Sequence, residues 1–417
     1  MNTDPAPEPP EQSGPLKGLR VVEFGHFIAA PFATRVLGDL GAEILKIEPP
    51  GGDPVRAWGD QLDGQSLWWS IHARNKKSVT LNLKDPAARQ IALDLVAQSD
   101  AVIENFRPGL MEKFGLGPEA LAAVKPGCVL VRVSGFGQTG PRAKDASFGM
   151  IGEAIGGIRH LTGYPKSETD LPPVRTGVSL GDTVAGLYGA VGLLAAVMER
   201  RDRQPEAGTP ARIVDVALTE SVLSLLEGVL PEYGATGKVR QPTGSRILTA
   251  APSNAYLCGD GAWIVVGANS PPLFAKLMGC IGKPELVADQ RFSDNDGRVA
   301  NVEALDAEIT AWTETRPAAQ ILSDLEAAGI PSAKIFTAED IANDPQYRAR
   351  AAVRPVPDPL HGQDILYPAP VPRFPGENPD SIAWPGPAIG AHTESVLKGL
   401  LGMSDADYGR LKDNGTI

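Results

Sequence analysis

Leu19-Arg20-Val21-Val22-Glu23-Phe24 reads as a short strand, residues 31–40 follow with helical spacing and are closed by Gly41, and Ala42-Glu43-Ile44-Leu45-Lys46-Ile47-Glu48 reads as a second strand. Strand, helix and strand in that order make a β-α-β unit, the first crossover of a parallel sheet. Such a unit opens many nucleotide-binding folds, and Glu48 stands where a dinucleotide site places its ribose acid. The intervening turn, Gly25-His26-Phe27-Ile28-Ala29-Ala30-Pro31, lacks the G-x-G-x-x-G spacing, so NAD is the weaker reading.

The alternation continues outward from this unit. Residues 78–83 read as a strand, 86–98 as a helix with Asp85 as its N-cap, 101–104 as a strand, 118–124 as a helix and 129–133 as a strand. A strand at 212–218 and an amphipathic helix at 219–230, with Glu220 in its first turn, extend the series. The pattern predicts an α/β fold with a Rossmann-like parallel sheet, whose strand ends and following loops carry ligand contacts. From Pro231 the character changes. Residues 233–252 read as a linker, 255–266 as a hairpin around Gly259-Asp260-Gly261, and 331–336 as a further strand in a smaller α+β domain. Residues 344–387 are proline-rich, which suits an extended return path, and helices from Thr393 rejoin the first domain. The expected division is a disordered tail at 1–15, the large domain's N-terminal part at 16–203, a connecting segment at 204–230, the small domain at 231–340, and a linker and return at 341–417.

Composition removes several function classes. The net charge of −11 argues against nucleic-acid binding, which needs a basic face. Cys128, Cys258 and Cys280 are too far apart for a CxxC metal site and odd in number, so a reducing, cytoplasmic setting fits. His26, His72, His160, His361 and His392 show no zinc-ligand spacing, and no G-x-S-x-G elbow occurs. Residues 1–14 carry no signal-peptide pattern, and the apolar run 183–198 is short and studded with glycine, so a buried helix is expected there rather than a membrane span. Within that run Gly186, Gly189 and Gly192 recur every third residue, which costs helix propensity and asks for close packing in return.

Four stretches remain as candidates for chemistry. Arg74-Asn75-Lys76-Lys77 is the densest basic cluster, and Asn105-Phe106-Arg107-Pro108-Gly109 follows a strand directly, with Lys113 close behind. Either loop suits phosphate and adenine, and either suits a solvated charged loop equally well. Gly135-Phe136-Gly137-Gln138-Thr139-Gly140-Pro141 is glycine-rich but too irregular for a Walker loop. Gly177-Val178-Ser179-Leu180-Gly181-Asp182 places one acid at or near a helix start. A carboxylate there serves as an ordinary N-cap or as a nucleophile toward an activated acyl group.

The ordered motifs GHFIAAPFATRVLGDLGAEILKIE, RNKKSVTLNLKDP, ENFRPG, GFGQTGP, GVSLGDTVAGLYG and IGAHTESVL together resemble the class III (CaiB/BaiF type) CoA-transferases over nearly the whole chain. The resemblance implies that Asp182 is the nucleophile, passing through an aspartyl anhydride and an aspartyl-CoA thioester with no metal and no permanently bound cofactor. It implies that His26, Ile28 and Ala29 line the thiol end of CoA. Leu81, Asn82, Leu83 and Lys84 would form the adenine pocket, and Asn105, Phe106, Arg107 and Lys113 would meet the pantetheine and phosphates. The partners implied are an acyl-CoA, possible donors including succinyl-CoA, a carboxylic acid acceptor and a second copy of the chain in an interlocked, ring-like homodimer, with no nucleic acid and no membrane. Formyl-CoA transferases carry glutamine where this chain has Ile28, which argues against oxalate as acceptor. Many transferases carry Gly-Tyr-Asp where this chain has Ser147-Phe148-Gly149. The related 2-methylacyl-CoA racemases carry a catalytic histidine at the position of Phe148, and α-proton exchange between two bases needs that second group.

Overall fold

The structure, a computed structural model, describes residues 13–203, 205–374 and 382–417. Two compact units emerge, one from Met1–Arg159, Arg175–Thr236 and Gln346–Ile417, the other from His160–Val174 and Gly237–Pro345.

The first unit is built on a six-stranded parallel sheet. Its strands are β1 (Arg20–Glu23), β2 (Glu43–Glu48), β3 (Lys76–Thr80), β4 (Ala101–Glu104), β5 (Val129–Ser134) and β6 (Arg212–Ala217), in the order β3-β2-β1-β4-β5-β6. Every pairing is parallel, with Val21 opposite both Ile44 and Ala101. This is the doubly wound order, and it reverses direction between β1 and β4. In sheets of this order ligands bind at the carboxyl ends of the strands on either side of that reversal.

Helix α1 (Ala29–Asp39) follows β1, α2 (Pro86–Ala97) precedes β4 with Asp85 accepting from Ala87 N–H at 2.9 Å, α3 (Gly149–Ile155) follows β5, and α4 (Leu180–Arg203) precedes β6. Helices α1 and α4 cover one face of the sheet over Val21, Ile44, Ile103, Val131 and Val133. On the other face Val22, Leu45, Val102 and Leu130 pack against α2 and the last helices, with Leu397 buried among them. The chain end is tied to β3, where Ser78 N–H donates to His392 Nδ1 (3.1 Å) and Thr80 N–H to Thr393 Oγ1 (2.9 Å).

The repeated glycines of α4 separate on inspection. A Cβ on Gly186 would lie 2.7 Å from the Ala29 carbonyl oxygen and one on Gly192 would lie 2.6 Å from Val214, whereas one on Gly189 would make ordinary contacts of 3.7 Å. The close approach of α1 and α4 therefore depends on Gly186. Leu180–Arg201 of this helix is long and apolar enough to cross a membrane by length and composition, but half of its apolar window is buried on α1 and the sheet, as a core helix is.

Several boundaries depart from expectation. The helix expected at 219–230 is two helices, α5 (Leu218–Leu223) and α6 (Val229–Thr236), separated at Glu227, which holds a left-handed φ of 49°. The linker expected from residue 233 is accordingly helical to Thr236. Residues 1–12 of the expected tail and 375–381 of the proline-rich return lie outside the described residues. Residues 13–15 do not dangle: Ser13 O lies against Gly41, and the next residue, Leu16, donates its N–H to Leu40 O at 2.9 Å. The return segment holds a hairpin, Val353–Asp358 with Gln363–Pro368, rather than one extended path.

The second unit holds a three-stranded antiparallel sheet of β7 (Ser253–Leu257), β8 (Trp263–Gly267) and β9 (Ser332–Lys334), with β8 central. Ile264 and Val266 of β8 face helices that supply Phe274, Leu305, Ile309 and Ile321 to its core. The unit also includes residues 160–174, which the sequence pattern assigns to the large domain. The reason is local bonding: Gly244 N–H donates to Gly163 O (2.8 Å), and Arg246 pairs with Glu168 (3.5 Å).

Candidate active site

The carboxyl ends of β1 and β4 bring together loops that lie far apart in sequence. The Asn105 side-chain amide accepts from His26 N–H and donates to His26 O, both at 2.8 Å, so one side chain fixes the backbone of the first turn. The His26 ring meets Phe106 edge to face at 5.1 Å. Burial, reinforced by the Lys46 charge, lowers the pKa of His26 and keeps it neutral at pH 7.

Beside this contact lies a cavity of about 210 Å³ whose walls include His26, Leu81, Asn82, Leu83, Lys84 and Phe106, together with Phe24, Leu110 and Phe114. It is smaller than the roughly 300–1,000 Å³ of sites that enclose a whole drug-sized ligand and suits one end of a longer molecule. Lys84 at its wall and Arg107 and Lys113 in the adjoining segment are exposed. Ile28 and Ala29 direct their side chains into apolar cores instead, Ile28 among Val55, Trp69 and Ala73. Phe27, with a left-handed φ of 62°, turns the chain between His26 and Ile28.

A buried ion network holds this turn from below. Lys46 Nζ donates to Gly25 O and pairs with Asp53 (2.6 Å) and Glu23 (2.8 Å), while Asp53 Oδ1 accepts from Phe27 N–H at 3.1 Å. Lys76 reaches Glu23 (2.9 Å) and Pro31 O (2.7 Å). Burial alone would raise the Glu23 and Asp53 carboxyls, but Lys46 beside both, with Lys76 beside Glu23, outweighs it and holds both below the usual range. The basic cluster Arg74-Asn75-Lys76-Lys77 is therefore neither a phosphate grip nor a solvated loop. Arg74 pairs with Asp39, Lys77 with Glu43, and Arg74 to Lys76 are buried. Glu48 is likewise spent: its carboxylate accepts from Arg56, Ser78 Oγ and Asp53 N–H, which leaves it no role as a ribose acid.

Asp182 is the third residue of α4 and partly buried, and its side chain caps nothing. No described residue donates a hydrogen bond to its carboxylate. The Gly149 backbone at the start of α3 is so close that a Cβ there would fall 1.9 Å from Asp182 Oδ2. Burial, then the nearby Glu153 carboxylate, pushes the Asp182 pKa up to about 6 against the opposing pull of Arg175. A partly buried, unpaired carboxylate of raised basicity, ionised at neutral pH, is equipped to act as a nucleophile or base.

The two regions touch through the first turn. His26 lines the cavity, and Ala29 O lies against Gly186, one helical turn beyond Asp182. Aromatic rings continue the surface from Trp68 to Trp58 (6.1 Å), Phe27 (4.8 Å) and Phe148 (6.4 Å), the residue before Gly149. Sequence reasoning passed over Phe27, Glu153 and Arg175. A single acid in the otherwise apolar stretch Gly149-Met150-Ile151-Gly152-Glu153-Ala154-Ile155 was the available signal for Glu153. Among the described residues no three His, Cys, Asp or Glu side chains gather as a metal site.

Comparison with known proteins assigns the family. The profile of CoA-transferase family III matches residues 16–393. The chain is 42% identical to the succinyl-CoA–D-citramalate CoA-transferase of Chloroflexus aurantiacus, over 95% of this chain and 97% of that one. It is 36% identical to the succinyl-CoA–L-malate CoA-transferase β subunit of the same organism, over 97% and 98%. A crystal structure of a CaiB/BaiF family protein from Brucella suis superimposes with a TM-score of 0.83 at 31% identity, over 93% of this chain and all of that one. The chain belongs to CoA-transferase family III and is an enzyme of that family.

Proposed function

We propose that this enzyme transfers CoA from succinyl-CoA to a dicarboxylic acid and that Asp182 carries the acyl and CoA groups in turn. The Asp182 carboxylate attacks the donor thioester, giving a mixed anhydride and expelling CoA thiolate. The thiolate then attacks the Asp182 carbonyl, which releases the donor acid and leaves an aspartyl-CoA thioester. The acceptor carboxylate attacks that thioester to form a second anhydride, and the returning thiolate takes the acceptor acyl group and restores Asp182. No metal or resident cofactor enters these steps.

The observation that carries the reading is the unpartnered Asp182 carboxylate, pushed up to about 6 and set against Gly149. The succinyl-CoA-dependent relatives named above support the choice of donor and of a dicarboxylate acceptor. Adenine fits the cavity between Phe106 and Leu81–Lys84, and Lys84, Arg107 and Lys113, which no described acid pairs, suit the phosphates. Asn105 meets the pantetheine arm, and the backbone at His26, Ile28 and Ala29 guides the thiol toward α4.

A homodimer belongs to the same reading, interlocked by resemblance to the family. Leu187, Val191 and Met198 lie on one face of α4 at spacings of four and seven residues and are exposed, as are Leu223, Leu230 and Tyr233 nearby in the chain. A second copy of the chain is the occupant that would cover this apolar face. The cytoplasm suits the free thiols of Cys128, Cys258 and Cys280.

Mixing the enzyme with succinyl-CoA and digesting it should give a mass adduct on the peptide that holds Asp182. Asp182→Ala should lose both the adduct and CoA exchange, by roughly a thousandfold or more. Full exchange in that variant would refute the mechanism. A matrix of acyl-CoA donors against carboxylic acids, read by product mass, identifies the acceptor.

A further inference from the structure

The mechanism above uses one carboxylate at the start of α4, but the structure puts two there. Glu153 lies one helical turn along α3 from Gly149, so the face of α3 that touches Asp182 also carries this acid. Its side chain is 2% exposed. Gly181 N–H, from the residue before Asp182, donates to Glu153 Oε1 at 3.3 Å, and Arg175 Nε stands 3.8 Å from Oε2. Both contacts are long for charge-assisted bonds.

A glutamine would accept the same bond from Gly181 and fill the same space without a buried charge. Neither the packing nor the hydrogen bond therefore accounts for a carboxylate at this position. Burying an ion that is so loosely paired destabilises the fold, and active sites are where such costs are tolerated. What the charge does is set by what it faces. The charged side chains on the elements packed against α4 are Glu153 on α3, Arg175 in the segment before α4, Arg35 and Asp39 on α1, Arg132 on β5, Arg212 and Asp215 on β6, and Glu220 on α5. Arg132 pairs with Glu104 and Glu112, Arg212 with Glu199, and Asp215 accepts from Gln138 N–H. Arg35 and Asp39 lie close to Arg74 and Glu220 is exposed, so the charges acting on Asp182 are Glu153 and Arg175.

Resting on the reading of Asp182 as nucleophile, we propose that Glu153 is a positioning residue that raises the reactivity of the Asp182 carboxylate by like-charge repulsion, which acylation of Asp182 then relieves. Two anions held near one another make the free enzyme less stable. When Asp182 becomes an anhydride or a thioester it is neutral, and the repulsion disappears. The gain is therefore realised on the way to the acyl-enzyme and not in the binding of acyl-CoA, which is the condition for raising kcat rather than lowering KM. Arg175 acts in the opposite sense and limits the repulsion, so that Asp182 stays ionised at neutral pH.

The test is the pH dependence of kcat/KM for succinyl-CoA in the full-length Glu153→Gln protein, with Arg175→Gln as the opposite arm. Asp182 attacks as the anion, so activity falls as pH drops through its pKa. Removing the Glu153 charge should move this acid limb to lower pH by roughly half to one unit and reduce kcat several-fold on the alkaline plateau, with KM little changed. Removing the Arg175 charge should move the limb to higher pH. An unmoved limb in Glu153→Gln, with only a lower Tm, would make Glu153 a structural residue and overturn the proposal. Should that variant fail to fold, an unmoved limb in Arg175→Gln overturns it equally. Adduct formation at Asp182 separates this failure from the larger one. An adduct in the wild type with unmoved limbs rejects the role of Glu153 alone, whereas no adduct in the wild type rejects the nucleophile itself.

Discussion

Two groups of carboxylates in the first unit, one buried and one partly buried, are treated in opposite ways. Beneath the β1–α1 turn, Glu23 and Asp53 are matched by Lys46 and Lys76, so both acids stay below the usual carboxylate range. At the start of α4, Asp182 has no described hydrogen-bond donor, its nearest charged neighbour on α3 is another acid, and its pKa is pushed up to about 6. The first arrangement holds backbone: Lys46 grips Gly25 O and Asp53 grips Phe27 N–H, which sets the left-handed residue that turns the chain toward α4. The second leaves the reacting atoms unsatisfied. A fold that neutralises its charges where it needs rigidity and leaves one uncompensated where it needs reactivity separates scaffold from site by electrostatics alone.

The largest stability effect should come from breaking the matched side. Lys46→Met removes the cation shared by Glu23 and Asp53 and leaves both acids buried, which costs about 3–5 kcal/mol in urea unfolding at pH 7. Because the two carboxyls titrate lower in the folded state than in the unfolded chain, their contribution is present at neutral pH. It is lost as pH falls through their folded values. The variant should therefore approach the wild type in stability as both are taken to acid. A loss under about 1 kcal/mol at pH 7 would place the network among surface-like pairs and remove the contrast.

The next effect lies in geometry. Gly149→Ala introduces a Cβ that would fall 1.9 Å from Asp182 Oδ2, so the carboxylate or the start of α3 must move. A displacement of about an ångström at a reacting atom lowers kcat/KM by roughly a hundredfold. Gly399→Ala, where nothing lies within 4 Å of the added methyl, is the matched control and should leave kcat/KM unaltered. Equal activity in the two variants would mean that the contact between α3 and Asp182 does not matter for catalysis.

How much of this was legible in the sequence follows the same division. The parallel sheet was readable because β1, β2, β4 and β5 are apolar runs punctuated by Gly, Pro and a good N-cap at Asp85, and the local signals agree with the global order. Of the residues that line the cavity, His26 and Leu81–Lys84 are legible through the resemblance of their motifs to a family, and Phe106 also through its loop after a strand. The basic cluster at Arg74 misled because linear sequence shows a charge but not its partner: Asp39, Glu23 and Glu43 come from α1, β1 and β2. The sequence likewise pointed to Asp182 but offered N-capping as its ordinary explanation. Only the fold reveals that its carboxylate caps nothing and faces Gly149. Residues 160–174 joined the second unit through backbone bonds to Gly244 and its neighbours, which leave no periodicity to read.

The smallest effect distinguishes the two acid groups by sign. The Asp182 pKa of about 6 in the folded protein lies above its ordinary 3.8, so the folded state binds the proton more tightly than the unfolded chain. Stability attached to this group is present below pH ~4 and is lost as pH rises toward 6, with an upper bound near 3 kcal/mol that solvent screening of a partly exposed group reduces to about 1–2 kcal/mol. Asparagine at this position does not titrate. Asp182→Asn should thus gain on the wild type as pH rises from 4 to 7 and be the more stable protein at pH 7 by about 1–2 kcal/mol, while losing CoA exchange. Lys46→Met moves the opposite way at the same pH, which makes the pair of variants a direct measure of the contrast. If Asp182→Asn is instead less stable than the wild type at pH 7, the ionised carboxylate is being stabilised by the fold, and the picture of an uncompensated nucleophile fails even if the residue proves essential.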